Sequence, residues 1–255
     1  MRAIIYTEFL KMKRASMMKA GAVIVILSCV FSAMPIFATD STVKDFTLLM
    51  GNILENNCIY FSPLLTVLLG SYMMEREITG NTLKNMLLVP ISFQKLLQGK
   101  LTVLLGMVML FGMGNGILGS LLGTVLKLPG MNAVAILLWS FRLIGANMLI
   151  FAAVLPITII AACVEGAMPA GTAAAFLYGF LATVDWKPMN YYPIKAVQIL
   201  MDPMYENRYE WLHYSKTIAA AVIAAVLLAS CLLAKRMRPF ERKNKMAGTV
   251  RKKGW

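Results

Sequence analysis

Residues 75–95 read EREITGNTLKNMLLVPISFQK, and this polar, proline-ended stretch lies between two long apolar runs. Its placement decides what the chain is. Apolar residues make up 59% of the 255 positions and charged residues only 15%, with a mean hydropathy of +0.69. Soluble domains carry less apolar and more charged sequence. The apolar residues fall into runs of about 20, the length that crosses the hydrocarbon of a bilayer. The runs do not alternate, which excludes a membrane β-barrel. The expected fold class is therefore all-α integral membrane.

Six spans are expected, at Met17–Ala38, Cys58–Met74, Leu101–Leu122, Ala133–Cys163, Met168–Val184 and Thr217–Ala234. The fourth is too long for one straight crossing and is expected to begin outside the hydrocarbon, to tilt, or to break near Pro156. Lys and Arg set the orientation. With the N-terminus inside, residues 1–19, 75–100 and 235–255 hold 18 of them, against six in the external segments and Arg142 within a span. Both termini, the basic tail 235–255 and residues 75–95 are thus expected on the cytoplasmic side. The net charge of +13 is explained by this bias, so nucleic acid is not an expected partner. The basic lead is longer than that of a cleavable signal, so the first span is expected to be a retained anchor despite the small residues near Ala38.

The lead RAIIYTEFLKMKR reads as an amphipathic interfacial helix over 1–16. Ile5, Tyr6, Phe9, Leu10 and Met12 fall on one side, with Thr7, Glu8, Lys11 and Arg14 opposite. Membrane lipid is its simplest partner. Residues 185–216 form the largest external segment and interleave Trp186, Tyr191, Tyr192, Tyr205, Tyr209, Trp211 and Tyr214 with three prolines. Two readings stand: an interfacial aromatic belt, or a contact surface for an amphiphilic substrate made by Trp186, Tyr205, Tyr209 and Trp211. Arg142 can snorkel to the outer interface or pair with Glu55. The four cysteines carry no CxxC spacing and read as small apolar fillers, with a disulfide or metal site as the alternative.

Catalytic motifs are absent from the sequence. With His213 the one histidine, no HExxH site is possible; there is no GxSxG elbow and no GxxxxGK[ST] phosphate loop. Instead the spans carry small residues at four-residue spacing: Gly112/Gly116, Gly119/Gly123, and Gly171/Ala175/Gly179. This spacing lets helix backbones approach closely. In residues 78–90, Thr79 or Asn81 can cap a short helix whose apolar ridge is Leu83, Met86 and Leu87, and Pro90 ends it. A protruding helix with an apolar ridge suits docking into a partner's groove.

The pattern formed by Glu75, Glu77, Gly80, Thr82, Leu87, Pro90, Ile91, Leu96, Leu97 and Lys100 resembles the type 2 family of ABC exporter permeases. Asn81 separates the Gly and Thr that are usually adjacent. The lead TEFLKMKRA is similar to the start of lantibiotic-immunity and bacitracin-efflux permeases within that family. The resemblance implies that 78–90 is a coupling helix seated on a separate ATPase dimer, through Glu75, Glu77, Gly80, Thr82, Leu83, Met86, Leu87 and Pro90. Phe9 and Lys11 of the lead would add a second docking element. ATP and Mg would be bound by that partner, and this chain would carry no cofactor and no catalytic residue. A second permease chain, identical or homologous, would meet the first and fifth spans, the latter through Gly171, Ala175 and Gly179. The implied function is export of antimicrobial peptides across a bacterial plasma membrane. The residues alone leave open a non-transporting accessory or sensor component of a peptide-resistance system.

Overall fold

A computed structural model describes residues 2–13, 16–37, 44–80, 92–184, 189, 191–203, 205 and 215–237. Every regular element among them is helical: α1 Arg2–Lys13, α2 Ser16–Phe37, α3 Phe46–Asn56, a π-helical segment Asn57–Phe61, α4 Ser62–Thr79, α5 Phe93–Val125, α6 Ala133–Cys163, α7 Met168–Phe180 with a 3-10 turn Leu181–Thr183, α8 Pro193–Met201 and α9 Lys216–Arg236. Side-chain caps start three of them. Asp45 Oδ1 accepts from the Leu48 amide at 2.7 Å, Asn132 Oδ1 from the Ala135 amide at 2.7 Å, and Ser92 Oγ from the Lys95 amide at 3.4 Å.

Among the described residues, five helical stretches are long and apolar enough to cross a membrane: Ser16–Phe37, Phe46–Thr79, Phe93–Val125, Ala133–Cys163 and Lys216–Arg236. The chain is an all-α membrane protein. The expected second span is the middle of a 34-residue helical stretch, and the fourth runs unbroken through Pro156. The expected fifth span at 168–184 differs most. Its α-helix has 13 residues, about 20 Å at 1.5 Å per residue, and only the 3-10 turn extends it. That is short of the hydrocarbon thickness.

The helices share two poles. At one, Phe46 N–H donates to the Pro129 carbonyl at 3.0 Å, tying the start of α3 to the α5–α6 loop. At the other, Gln94 Nε2 of α5 donates to the Lys235 carbonyl of α9 at 2.8 Å. The end of α4, the start of α5 and α1 meet there as well. Both described ends of the chain therefore lie at one pole.

Small residues make the crossings. Gly112 and Gly116 of α5 pack on Ile144 and Ser140 of α6, while Gly119 and Gly123 receive Ile53, Met50 and Phe46 of α3. Gly171 packs on Ala161, and Gly179 lies so close to the Ile59 carbonyl of the π-helical segment that a methyl would overlap it. Gly179→Val should therefore lower stability by about 3 kcal/mol or more, at the top of the overpacking range. Gly106, with nothing within 4 Å of an added Cβ, is the comparison. Gly106→Ala should be neutral or should stabilise by up to about 1 kcal/mol through helix propensity. Unfolding midpoints in detergent read both; equal midpoints for the two variants would contradict this packing.

Candidate functional site

An ionic cluster ties three separate parts of the chain together at the pole that holds both described ends. Glu8 comes from α1, Glu77 from the last turn of α4, and Lys100 from the second turn of α5. Lys100 Nζ lies 2.6 Å from Glu8 Oε2, 2.8 Å from Glu77 Oε1 and 3.1 Å from the Met73 carbonyl. Lys11 Nζ lies 2.6 Å from Glu8 Oε1 and 2.9 Å from Glu77 Oε1. Glu8, Glu77 and Lys100 are buried, while the Lys11 side chain is 30% exposed. Two positive and two negative groups balance, so the cluster can sit out of water at a tolerable desolvation cost. Burial by itself would raise the Glu8 carboxyl, yet Lys100 and Lys11 outweigh it and hold the group below its ordinary range. Burial likewise opposes the charge on Lys11, and its bonds to Glu8 and Glu77 raise it above the ordinary lysine value.

This arrangement corrects the expected faces of α1. Glu8 was expected to point away from the apolar side, but it is 2% exposed and turned inward, because Lys100 supplies a buried counter-charge. Tyr6, Thr7, Phe9 and Leu10 are exposed. Met12 is buried among Met73, Met74, Phe93 and Leu97. Lys11 thus braces the platform from its edge, and Phe9 stands outside it.

Residues 81–91 leave the end of α4 directly beside Glu77 and return to the start of α5 seven residues before Lys100. The cluster therefore fixes both roots of this connection. Glu77 is in it; Glu75 is half-buried near the same helix end, and Gly80 is its C-cap. Thr82, Leu83, Met86, Leu87 and Pro90 lie outside the described residues, as do Trp186, Tyr209, Trp211, His213 and the tail beyond 237.

A second polar region runs along the π-helical segment. Ser28 Oγ donates to Asn57 Oδ1 at 3.1 Å, Asn56 Nδ2 to Ser32 Oγ at 3.0 Å, and Ser62 Oγ to Asn147 Oδ1 at 2.5 Å. Asn57, which opens the segment, and Asn56, which ends α3, thus bond to α2 where the helix changes winding, a feature often seen at functional sites. Above it, α8 is almost wholly buried between α6 and α9. Residues 193–201 of the expected external segment thus form a largely buried helix. Tyr205 is only 4% exposed, with Lys195 Nζ 5.9 Å from its ring centroid, so its ring packs inside the chain. Arg142 sits over Trp139, 5.0 Å from the ring centroid. Gly171, Ala175 and Gly179 face the chain's own α6, α4 and π-helical segment, and the exposed side of α7 carries Phe176, Leu177 and Phe180. Cys29, Cys58 and Cys163 are buried free thiols and Cys231 is an exposed one; among the described residues no His/Cys/Asp/Glu group is arranged for a metal.

No curated protein matches the chain. A family profile described as ABC-2 family transporter protein matches residues 4–182, which takes in α1, the ionic cluster, the polar connection 81–91 and the helices through α7. The chain is a membrane-spanning member of the ABC-2 family of transporter proteins.

Proposed function

We propose that this chain is the permease subunit of an ATP-driven exporter that removes amphiphilic antimicrobial peptides from a bacterial plasma membrane. Family membership brings an ABC ATPase as partner. The observation that carries the mechanism is the buried Glu8–Lys11–Glu77–Lys100 cluster, which joins α1 to both roots of the 81–91 connection. Force applied to residues 81–90 by a nucleotide-driven partner would pass through this rigid joint into α4 and α5. Residues 78–90 are the coupling helix in this reading, with Leu83, Met86 and Leu87 in the ATPase groove. ATP and Mg belong to that partner. The joint lies on the cytoplasmic side, and both termini with it.

A second permease chain, identical or homologous, meets α2 and α7 through exposed apolar residues such as Ile26, Leu27 and Leu177. The small face of α7 is occupied within the chain and does not serve that contact. Peptide leaves along this surface, past Trp186, Tyr209 and Trp211.

Orientation is checked with single cysteines in a cysteine-free chain, at Asn81 and at Lys127 in the α5–α6 loop. An impermeant thiol reagent should label Lys127→Cys in intact cells and Asn81→Cys only after lysis. Function is checked by deleting the gene. Sensitivity to nisin or bacitracin should rise several-fold while sensitivity to a small hydrophilic antibiotic stays unchanged. Labelling of both cysteines from outside, or unchanged sensitivity to both peptides, would overturn the proposal.

A further inference from the structure

A cavity of about 150 Å³ lies between the π-helical segment, the 3-10 turn after α7 and the buried helix α8. It is lined by Glu55, Asn56, Tyr60, Thr183, Lys195 and Gln198, among others. Its lining is unusual for the interior of a membrane helix bundle. It carries a carboxylate, an ammonium and two carboxamides, where polar groups are costly unless they are used. Gln198 is 2% exposed, and its Nε2 is buried without a hydrogen-bond partner among the described residues. An amide N–H in that state costs free energy until an acceptor arrives. In native structures such a group is an exception that calls for a reason, such as an absent ligand.

The cavity opens beside a row of aromatic rings. Tyr60, which lines it, has ring centroids 6.4 Å from Phe31, 6.2 Å from Phe176 and 6.3 Å from Phe180. Phe31, Phe176 and Phe180 are exposed at 49%, 38% and 47%. A polar pocket large enough for a few heavy atoms thus adjoins an apolar rail spanning α2, the π-helical segment and α7. This combination matches an amphiphile that puts a polar end into the pocket and lays its apolar body along the rings.

We propose that this cavity binds the polar end of an amphiphilic cationic peptide, with a peptide carbonyl accepting from Gln198, a basic group facing Glu55, and apolar side chains on the Phe31–Tyr60–Phe176–Phe180 rail. The two carboxamides favour a peptide over a lipid headgroup, since both Asn56 and Gln198 can pair with amides. The proposal rests on the export reading above and names where the cargo is first held.

The test places a photoreactive benzoylphenylalanine at the exposed rim residue Thr183, in the full chain in phosphatidylglycerol–phosphatidylethanolamine membranes. Bacitracin and nisin are the probes, and adducts are weighed by mass spectrometry. A peptide adduct is expected at Thr183 and none at a control position on α9, Leu227. Gln198→Leu should cut the adduct by roughly fivefold, the order expected for one lost hydrogen bond. Glu55→Gln, an isosteric change, should cut it similarly and guards against misfolding of the first variant. No adduct with either peptide, a lipid adduct alone, or an adduct undiminished in both variants would overturn the site. No ATPase takes part, so the two readings separate. Peptide adducts in a chain whose deletion leaves resistance unchanged would keep the site and remove the export function.

Discussion

Replacing Lys100 by methionine is expected to destabilise the protein by about 3–5 kcal/mol and to free α1 from the bundle, because it leaves a buried charge without its partner. Methionine nearly matches the volume of the lysine stem, so little is lost in packing. What is lost is the ammonium that reaches Glu8 at 2.6 Å, Glu77 at 2.8 Å and the Met73 carbonyl at 3.1 Å. Two buried carboxylates would then lose the ammonium they share, while the partly exposed Lys11 stays beside both. Adding Glu8→Gln removes one of them and should recover a substantial part of the loss, so the two changes should be strongly non-additive. Lys95→Met, on an exposed position of the same helix, should stay within about 0.5 kcal/mol of the parent. Unfolding midpoints in detergent and protease access to residues 2–13 read these effects. A Lys100→Met protein as stable as the parent would show that the cluster does not hold the joint.

The cluster also has a pH signature. The Glu8 carboxyl is held below its ordinary value of 4.5, so it contributes stability that is present above that pH. That stability is lost as pH falls through the lowered value. The α1 contact should therefore survive mild acidification and open only in stronger acid, and Glu8→Gln should remove this transition.

Much of the bundle was legible in the sequence. Five of the apolar runs overlap the long helical stretches among the described residues. The spacing of Gly112, Gly116, Gly119 and Gly123 announces close helix crossings, because only small residues permit them. The shortfalls have physical reasons. Glu8, Glu77 and Lys100 are scattered over 92 positions of sequence, and nothing local says that each will be buried by the others. A lone charge in an amphipathic lead is read as solvent-facing until its partner is known. The Glu55–Asn56–Asn57 trio looks like the end of a span. Asn57 is buried with Ser28 of another helix donating to it, and the half-buried Asn56 donates to Ser32 of that helix. Tyr191 and Tyr192 signal an interface, yet the next residues, PIKAVQILM, fold into an interior helix whose lysine and glutamine line a cavity.

The central claim is that residues 78–90 dock on the ATPase and act through the ionic joint beneath them. Leu87→Asp tests it most directly. Burying a leucine in a partner groove is worth about 1.5–3 kcal/mol, and a carboxylate there adds the cost of a desolvated, unpaired charge. Association should fall by at least roughly tenfold, since about 1.4 kcal/mol is a factor of ten. Membrane insertion should be unchanged, because residues 81–91 lie between the long apolar helical stretches, and Lys84→Ala, opposite Leu87 in the proposed helix, should matter less. The measurement is co-purification of the ATPase together with peptide-stimulated ATP hydrolysis, for Leu87→Asp, Lys84→Ala and the parent. The expected result is loss of both signals for Leu87→Asp alone. Normal insertion with full co-purification and full stimulated hydrolysis in Leu87→Asp would contradict the account.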